Sequence, residues 1–480
     1  MRGAAPRRRT ALVGACLLAA WTAAASAQPS VQTIPRAPAE DPAAVQGVLR
    51  LRGSGTLASE LVPALVMAFG RSAGLTGVRT TQGSDTQPTT LVLEGSETER
   101  TLRAEILSTA TAAAFTSLGD GSADLGMASR APTEGERAAV RRGGGGELNA
   151  PGNATPVSLD GVAVLVHPGN PVSRLTLQQV RSVFAGTVSN WLALGGPDMP
   201  ITRYTLQQDT GAQDMLRGSA GAAAGAGVAA SSTRIDGTDA DLSDAVASDP
   251  GGIALAGLPY IRNAKPVVLK LECGLERAPT RFLVRAEEYP LSRRLVLYGP
   301  ARKTAAAQAF LRFAASDLAA PAIEKAGFTS LTLEIADTAD RASRVQSFAL
   351  GTPDSREARA KAVEFAALTE GWRRVSTTFR FEFGGSALDA RARDDLGRLT
   401  TWLKRDPKRQ FMLMGYASGQ GAFAGNLALS LRRAQEVGAQ LGGYGAVPVR
   451  VAGMGTMGMV GCNDVDTKGG INRRVEVWVR

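Results

Sequence analysis

The chain has 480 residues, of which 44% are hydrophobic and 20% are charged, and its formal net charge is +10. A chain of this length is expected to form two or three domains, and its composition excludes a largely disordered protein. The basic charge suits anionic partners. Nucleic acid is disfavoured among them, because no cluster of basic residues is interleaved with aromatic residues.

The first 27 residues have the pattern of a secretory signal peptide. Basic residues precede an apolar run over residues 11–25, and small residues that end at Ala27 form a cleavage pattern. Cys16 suggests a lipoprotein as the alternative, but the apolar run before it is very short. The pattern therefore predicts an exported protein, with residues 28–47 as a flexible lead rich in proline, alanine and glutamine.

Residues 48–333 alternate short apolar runs with helical periodicity, which is typical of a layered α/β domain. Residues 48–52 predict a strand that ends at Gly53, and leucines at every fourth position predict the helix that follows, although Pro63 weakens this signal. Residues 161–166 form a continuous apolar run, as expected of a buried strand.

The remaining chain predicts a second domain of the same class. Residues 334–372 are charged and predict a linker with helical segments. Residues 373–480 predict a smaller α/β domain with the order strand, helix, strand, helix, strand. In the second of these helices, we expect an apolar face made of Leu427, Leu431 and Leu441.

A glycine-rich loop connects the first predicted strand to its helix and consists of Gly53, Ser54, Gly55 and Thr56. Glycines let the backbone turn tightly and approach a ligand, and a helix start offers unpaired N–H groups to an anion. The hydroxyl groups of Ser54 and Thr56 would add hydrogen-bond donors. On local grounds alone, a plain turn with a capping hydroxyl is an equally good interpretation.

Several longer motifs follow this loop in the order found in a known family. They are residues 123–130, 159–164, 170–172, 183–186 and 289–295. Through these motifs, residues 48–333 resemble the periplasmic phosphate-binding proteins of ABC transporters. The resemblance implies a two-lobed α/β domain of the type II periplasmic receptor fold, with phosphate or a similar small anion bound in the cleft between its lobes.

The resemblance also implies which residues hold the anion. They are Gly53, Ser54, Gly55 and Thr56 of the first loop, then Ser129 and Arg130, then Thr210 and Gly211 of a second loop. The second loop departs from the family pattern, since Ala212 stands where a hydroxyl is usual, and Leu206 and Gln213 stand where arginine is expected. Either Arg130 supplies the missing positive charge, or the affinity has fallen or moved to another small oxyanion.

The second domain carries a motif of polar residues that recur three or four positions apart, as on one helix face. The motif includes Asn426, Ser430, Arg433 and Val437, and residues 472–477 follow it. On these residues the domain resembles the OmpA-like peptidoglycan-binding domain. The resemblance implies a peptidoglycan site made of Asn426, Ser430, Arg433 and Arg474.

One position of this second site departs from its family. Arg433 presents a planar fork suited to the carboxylate of a peptide stem. Ser418, however, stands where the family has an aspartate that faces the ammonium group of the same stem. The site is therefore half present, and we expect weak association with peptidoglycan.

The remaining candidate residues give no sign of catalysis. His167 is the only histidine, and no nucleophile motif surrounds any serine, so we expect no enzyme, no metal site and no cofactor. Cys273 and Cys462 are the only cysteines beyond the predicted signal peptide. We expect two buried free thiols, with an inter-domain disulfide as the alternative.

Two functions remain open. In the first, the protein is a periplasmic solute receptor that is associated with the cell wall or outer membrane and serves an ABC transporter or another envelope partner. In the second, both pockets are degenerate, and the chain is an envelope scaffold that binds other proteins. The intact first loop and Arg433 favour the receptor, whereas the altered second loop and Ser418 favour the scaffold.

Overall fold

The computed structural model describes residues 45–480 with several gaps. The residues outside the description are 1–44, 85, 96–99, 207–211, 213–214, 217–231, 351–354, 382–384, 386–387, 389, 420 and 464–469. The predicted signal peptide and nearly all of the predicted flexible lead thus lie outside the described residues. None of the described helices is long and apolar enough to span a membrane.

The strands, in chain order, are β1 (Gly47–Ser54), β2 (Leu75–Thr81), β3 (Thr89–Gly95), β4 (Thr101–Thr109), β5 (Leu125–Ala128), β6 (Ala154–Val166), β7 (Arg174–Thr176), β8 (Thr202–Leu206), β9 (Thr233–Ile235), β10 (Gly252–Gly257), β11 (Lys265–Pro266), β12 (Val268–Lys270), β13 (Glu276–Arg277), β14 (Ser292–Tyr298), β15 (Arg373–Arg380), β16 (Phe411–Gly415), β17 (Arg450–Gly453) and β18 (Arg474–Val479).

The α-helices are α1 (Val62–Ser72), α2 (Thr111–Gly119), α3 (Glu134–Arg142), α4 (Leu177–Phe184), α5 (Asp239–Ser248), α6 (Arg281–Arg285), α7 (Ala305–Ala314), α8 (Ala320–Lys325), α9 (Thr338–Leu350), α10 (Arg356–Leu368), α11 (Ala390–Lys404) and α12 (Phe423–Gly443). A π-helical turn over Leu57–Leu61 leads directly into α1. Pro63 lies directly after this π-helical turn, and α1 continues through it to Ser72.

The first lobe is built on a sheet with the strand order β2-β3-β4-β1-β5-β14-β6. The predicted strand over residues 48–52 is β1, which lies parallel to both β4 and β5. Helices α1, α7 and α8 cover one face of this sheet. Leu49 and Leu51 of β1 lie in the core with Phe69 and Phe310, whose rings meet edge to face at 5.6 Å.

The long strand β6 connects the two lobes. Its first half pairs with β14 of the first lobe, and its second half pairs with β10 and β11 of the second lobe. In the second lobe the order continues from β6 to β10, β8 and β9, and a separate three-stranded sheet contains β13, β12 and β7. The second lobe has its own core around Val164, Trp191 and Leu255. The two-lobed α/β architecture implied by the resemblance is therefore confirmed.

The smaller domain contains a four-stranded sheet with the order β15-β18-β16-β17. Its strands alternate apolar side chains toward two separate cores, because successive residues of a strand point to opposite faces. Helices α11 and α12 cover one face, with Leu399, Leu413 and Val437 in the core between them. Helices α9 and α10 cover the other face, where the ring of Phe365 stacks on Phe348 and meets Trp478 edge to face. Most of residues 334–372, predicted as a linker, thus forms a packed layer of this domain.

A disulfide bond joins Cys273 to Cys462 across the boundary between the second lobe and the smaller domain. The expectation of two free buried thiols is therefore wrong. The turn between β12 and β13 brings Cys273 against the loop that follows β17. Arg277 contacts the same loop, because its guanidinium donates hydrogen bonds to the carbonyl oxygens of Val460, at 3.1 Å, and Met459, at 3.3 Å. The described residues accordingly belong to one compact unit.

Candidate functional site

The first loop lies where three parallel strands end. Because β1 is parallel to β4 and β5, the carboxyl ends of these strands meet at one edge of the sheet, the place where α/β sheets bind ligands. Hydroxyl groups are concentrated there. They belong to Ser54, Thr56, Ser108, Thr109, Thr111 and Ser129. The structure thus brings the predicted residues of the first loop together with Ser129.

The glycines of the first loop are explained by close packing. Gly53 has a φ of +134°, and a Cβ atom there would lie 2.3 Å from the carbonyl oxygen of Met127 and 2.8 Å from Cβ of Ala114. A larger residue would therefore separate β1 from β5 and α2. At Gly55 a Cβ atom would lie 3.2 Å from Oγ of Ser108. Gly53 is therefore needed to hold the loop against the neighbouring strands, whatever ligand it meets, whereas a side chain at Gly55 would require only a small shift of Ser108.

Ser129 and Arg130 have partners within the first lobe. The hydroxyl oxygen of Ser129 lies 3.1 Å from Oγ1 of Thr111, at the first residue of α2. The guanidinium of Arg130 donates two hydrogen bonds, at 2.7 and 2.8 Å, to the carboxylate of Glu136 in α3. The hydrogen bond from Arg130 is the main cause that lowers the pKa of Glu136 to about 2. The positive charge of Arg130 is thus largely compensated by Glu136.

Arg293 brings a positive charge to the first loop, and the sequence did not single it out as a ligand. From β14, its Nη2 donates to Oγ1 of Thr56 at 3.1 Å, and its Nε donates to Oδ2 of Asp160 on β6 at 3.1 Å. Both charged side chains are mostly buried. They belong to motifs that carry the family resemblance, but periodicity alone does not show which residues of β6 and β14 face the loop.

A second carboxylate of this region comes from the second lobe. Asp239 begins α5, and its Oδ2 accepts a hydrogen bond from the backbone N–H of Gly257 at 2.6 Å. Its Oδ1 is buried without a hydrogen-bond partner among the described residues. Burial raises the pKa of Asp239 to about 6, with a further contribution from the negative charge of Asp160. Among the described residues, the cleft therefore combines Arg293 with the carboxylates of Asp160 and Asp239.

The second loop of the predicted anion site falls mostly outside the described residues. Thr210 and Gly211 lie outside the described residues. Leu206 ends β8, and Ala212 is buried in the core of the second lobe. Within the part of the chain that the structure describes, no three histidine, cysteine or acidic side chains are grouped in a way that could hold a metal ion.

In the smaller domain, the polar face of α12 is the buried one. Asn426, Ser430 and Arg433 are buried, and so is Leu441, whereas Leu431 is exposed. The expected apolar face is therefore wrong for Leu431. Ser430 explains the burial, because its hydroxyl donates to the carbonyl oxygen of Leu427 at 2.8 Å and accepts from the N–H of Gly455 at 2.9 Å. Its polar group is thus satisfied inside the domain.

Two glycines on neighbouring strands let α12 approach the sheet this closely. Gly415 and Gly453 are paired partners on β16 and β17. A Cβ atom on Gly415 would lie 1.9 Å from the carbonyl oxygen of Ser430, and one on Gly453 would lie 2.7 Å from its Oγ. The close approach places the buried motif of α12 beside the loop that follows β16, which carries Ser418.

Arg433 is fully buried beside that loop. It donates to the carbonyl oxygens of Gly385, at 2.9 Å, and Tyr416, at 3.2 Å, and its guanidinium lies over the ring of Phe381. Burial, together with the positive charges of Arg473 and Arg432, lowers the pKa of Arg433 to about 10. A carboxylate that reached this guanidinium would relieve the unfavourable environment of its charge.

Arg474 points to the opposite face of the sheet. Its Nε donates to Oε1 of Glu476 at 2.9 Å, its Nη2 donates to the carbonyl oxygen of Gly458 at 2.8 Å, and it stacks on Tyr416. Its side chain is fully buried. The structure therefore does not bring Arg474 together with the motif on α12, and it explains Arg474 as part of the core between the sheet and α9.

Comparison with known proteins finds both domains. A family model described as the PBP superfamily domain matches residues 38–317, and the OmpA family model matches residues 380–475. The phosphate-binding protein PstS of Pseudomonas aeruginosa is 28% identical over 138 residues, which cover 28% of this chain and 41% of that protein. The phosphate-binding protein PstS 2 of Streptococcus agalactiae is 36% identical over 87 residues, which cover 18% of this chain and 26% of that protein.

The chain is also similar to two solved structures. An ABC-type phosphate transport receptor from Vibrio cholerae is 20% identical with a TM-score of 0.44, and the match covers 58% of this chain and 98% of that chain. The peptidoglycan-associated lipoprotein of Burkholderia pseudomallei is 23% identical with a TM-score of 0.21, and the match covers 22% of this chain and 89% of that chain. The chain spans less than half the length of the curated relatives named above. Because the first family model matches more than half of the chain, the protein belongs to the PBP superfamily, and it carries an OmpA family domain over residues 380–475.

Proposed function

We propose that the protein is an exported solute-binding protein that binds phosphate or a similar small oxyanion between its two lobes. The contact between Arg293 and Thr56 carries this proposal, because it puts a mostly buried guanidinium at the hydroxyl-rich ends of three parallel strands. Charged donors and hydroxyl groups are the usual partners of oxyanions. The names of the curated relatives, which are phosphate-binding proteins, support the same class of ligand.

The two acidic side chains of the cleft favour an anion that carries a proton. A carboxylate repels an incoming anion unless it accepts a hydrogen bond from it. The unpaired Oδ1 of Asp239 is such an acceptor. We therefore propose that monohydrogen phosphate or arsenate binds better than fully ionised sulfate.

The OmpA-like domain would associate the receptor with peptidoglycan. Arg433 supports this, since a carboxylate of the peptide stem would find a buried guanidinium beside the loop that carries Ser418. Because Ser418 supplies no charge for the ammonium group, the association would be weak. The protein would then act in the periplasm near the cell wall, and it would deliver its ligand to an ABC transporter or another envelope partner.

The second candidate is an envelope scaffold that binds proteins and has lost its ligands. The pairing of Arg130 with Glu136 favours this candidate, because the charge that could replace the missing arginine of the second loop is already compensated. The extensive contact between the domains, which includes a disulfide bond, also favours the scaffold.

Equilibrium dialysis of residues 28–480 against radiolabelled phosphate separates the two candidates. The receptor should bind phosphate at one saturable site, arsenate should compete, and sulfate should compete less well. Phosphate should also raise the unfolding temperature, since a ligand that binds only the folded chain must stabilise it. If phosphate, arsenate, sulfate and molybdate all fail to bind and to shift unfolding, the scaffold is the correct function.

A further inference from the structure

Two consecutive arginines of β14 reach different domains. Arg293 contacts Thr56 and Asp160 in the receptor cleft. Arg294 points the other way, as successive residues of a strand do, and its Nη2 donates to Oδ2 of Asp395 in α11 at 3.0 Å. One short stretch of backbone therefore connects the anion loop to the OmpA-like domain.

Residues 292–295 of β14 pair with a neighbouring strand on one edge only. β14 pairs with β6 along its whole length, but it pairs with β5 only over its last three residues, Val296–Tyr298. A register shift between Leu295 and Val296 separates the two parts. Among the described strands, none pairs with the second edge of residues 292–295. Side-chain contacts must therefore help to fix the position of this backbone, and with it the position of the Arg293 guanidinium.

The contacts of Arg294 are strong enough to do so. The guanidinium is mostly buried, and it is held by Asp395 from one domain and by Glu287 from the other. Burial disfavours its charged form, but the two carboxylates outweigh this effect and raise its pKa above the ordinary value. Arg380 of the OmpA-like domain adds hydrogen bonds to the carbonyl oxygens of Ala286 and Glu287, at 3.2 and 2.9 Å.

We infer that Asp395 of the OmpA-like domain is a positioning residue for the anion site of the receptor. It acts on Arg294, which holds the edge of β14 where Arg293 faces Thr56. The affinity of the cleft for its anion therefore depends on the packing of the second domain. This inference rests on the proposed function, because it names a residue that supports the same site.

Phosphate calorimetry on residues 28–480 tests the inference with a matched pair of variants. Asp395→Asn removes the charge that faces Arg294, while Glu287 still compensates the buried guanidinium, so the variant should fold. It should bind phosphate on the order of fivefold more weakly, as expected of a moderate coupling between sites. Asp317→Asn breaks the exposed ion pair with Arg405 across the same domain boundary, and it should bind phosphate like the unmodified chain.

Two further variants separate positioning from general stability. Asp395→Glu restores a carboxylate and should recover most of the affinity. Arg294→Lys keeps the charge but cannot bridge two carboxylates, so it should bind as weakly as Asp395→Asn. If Asp395→Asn and Arg294→Lys bind phosphate like the unmodified chain while only their unfolding temperatures fall, the inference is wrong. If the unmodified chain binds no phosphate, the proposed function itself fails and the inference fails with it.

Discussion

Glu288 and Arg374 form an ion pair across the boundary between the receptor lobes and the OmpA-like domain. The guanidinium of Arg374 donates two hydrogen bonds to the carboxylate of Glu288, and both side chains are almost fully buried. The pair belongs to a larger buried ion cluster, which we define as Glu288, Asp340, Arg344, Arg374, Arg474 and Glu476. Because each charge is compensated by another, the cluster holds the two domains in one arrangement.

Removing one charge from the buried ion cluster should strongly destabilise the protein. Glu288→Gln leaves part of the charge of Arg374 uncompensated in the interior, and we expect the free energy of unfolding to fall by about 3–5 kcal/mol. Arg405→Ala breaks the exposed pair with Asp317 at the same boundary and should cost about 0–1 kcal/mol. Urea denaturation measures both. Equal losses in the two variants would show that the cluster does not hold the domains together.

The disulfide bond should contribute to stability as well. Replacing Cys273 and Cys462 by serine removes a cross-link between residues 189 positions apart, and the free energy of unfolding should fall by about 2–5 kcal/mol. Denaturation of residues 28–480 with and without a reducing agent gives the same comparison. A thiol reagent should find no free thiol in the denatured, unreduced chain, and two reactive thiols there would contradict the bond.

Asp239 should make stability depend on pH. Its pKa of about 6 in the folded chain lies above the ordinary value of 3.8, so the folded chain keeps a proton that the unfolded chain has lost between these values. The stabilisation from this proton is fully present below about pH 4 and is lost as the pH rises through about 6. Asp239→Asn should therefore raise the free energy of unfolding at pH 7.5 by on the order of 2–3 kcal/mol and change little at pH 4. The same change at both values would contradict a raised pKa.

Peptidoglycan association should respond to the charges around the loop after β16. The unmodified chain should co-sediment weakly with purified peptidoglycan, because Ser418 leaves the ammonium group of the stem unpaired. Ser418→Asp should strengthen the association, and Arg433→Ala should abolish it. Arg356→Ala, which removes an exposed charge at the start of α10 on the other face of the sheet, serves as the control. Association of Arg433→Ala at the level of the unmodified chain would refute the assigned role of Arg433.

Much of the order of strands and helices could be predicted because it depends on local pattern, but β17, which follows α12, was missed. Apolar runs and periodicity located β1 and β6 and the two-domain architecture, and long motifs identified both families. The pairs that build the cleft were not predictable, because Asp160 and Arg293 are 133 residues apart and meet only when β6 and β14 pair. The disulfide depends in the same way on how two distant loops pack.

The buried face of α12 shows a different limit of sequence reasoning. The leucines of α12 were expected to form its buried face. A hydrophobic pattern does not reveal a helix that buries polar side chains whose hydrogen bonds are satisfied inside the domain. Gly415 and Gly453 are the signal that was available, since two glycines on paired strands allow a helix backbone to approach closely. They could be interpreted only once β16 and β17 were known to be neighbours.

Calorimetric titration of residues 28–480 with phosphate tests most directly whether the cleft around Thr56 and Arg293 binds a small oxyanion. We expect one binding site, with affinity reduced about tenfold or more by Arg293→Gln, since a lost charge-assisted hydrogen bond costs about 1.5–3 kcal/mol. Removal of a hydroxyl or a second cation, as in Thr56→Val, Ser54→Ala or Arg130→Ala, should also weaken binding. Arg174→Gln, which breaks an exposed ion pair with Glu276 in the second lobe, should change nothing. Phosphate binding that is equally strong in Arg293→Gln and Arg174→Gln, or no heat of binding in the unmodified chain, would contradict an anion site at this cleft.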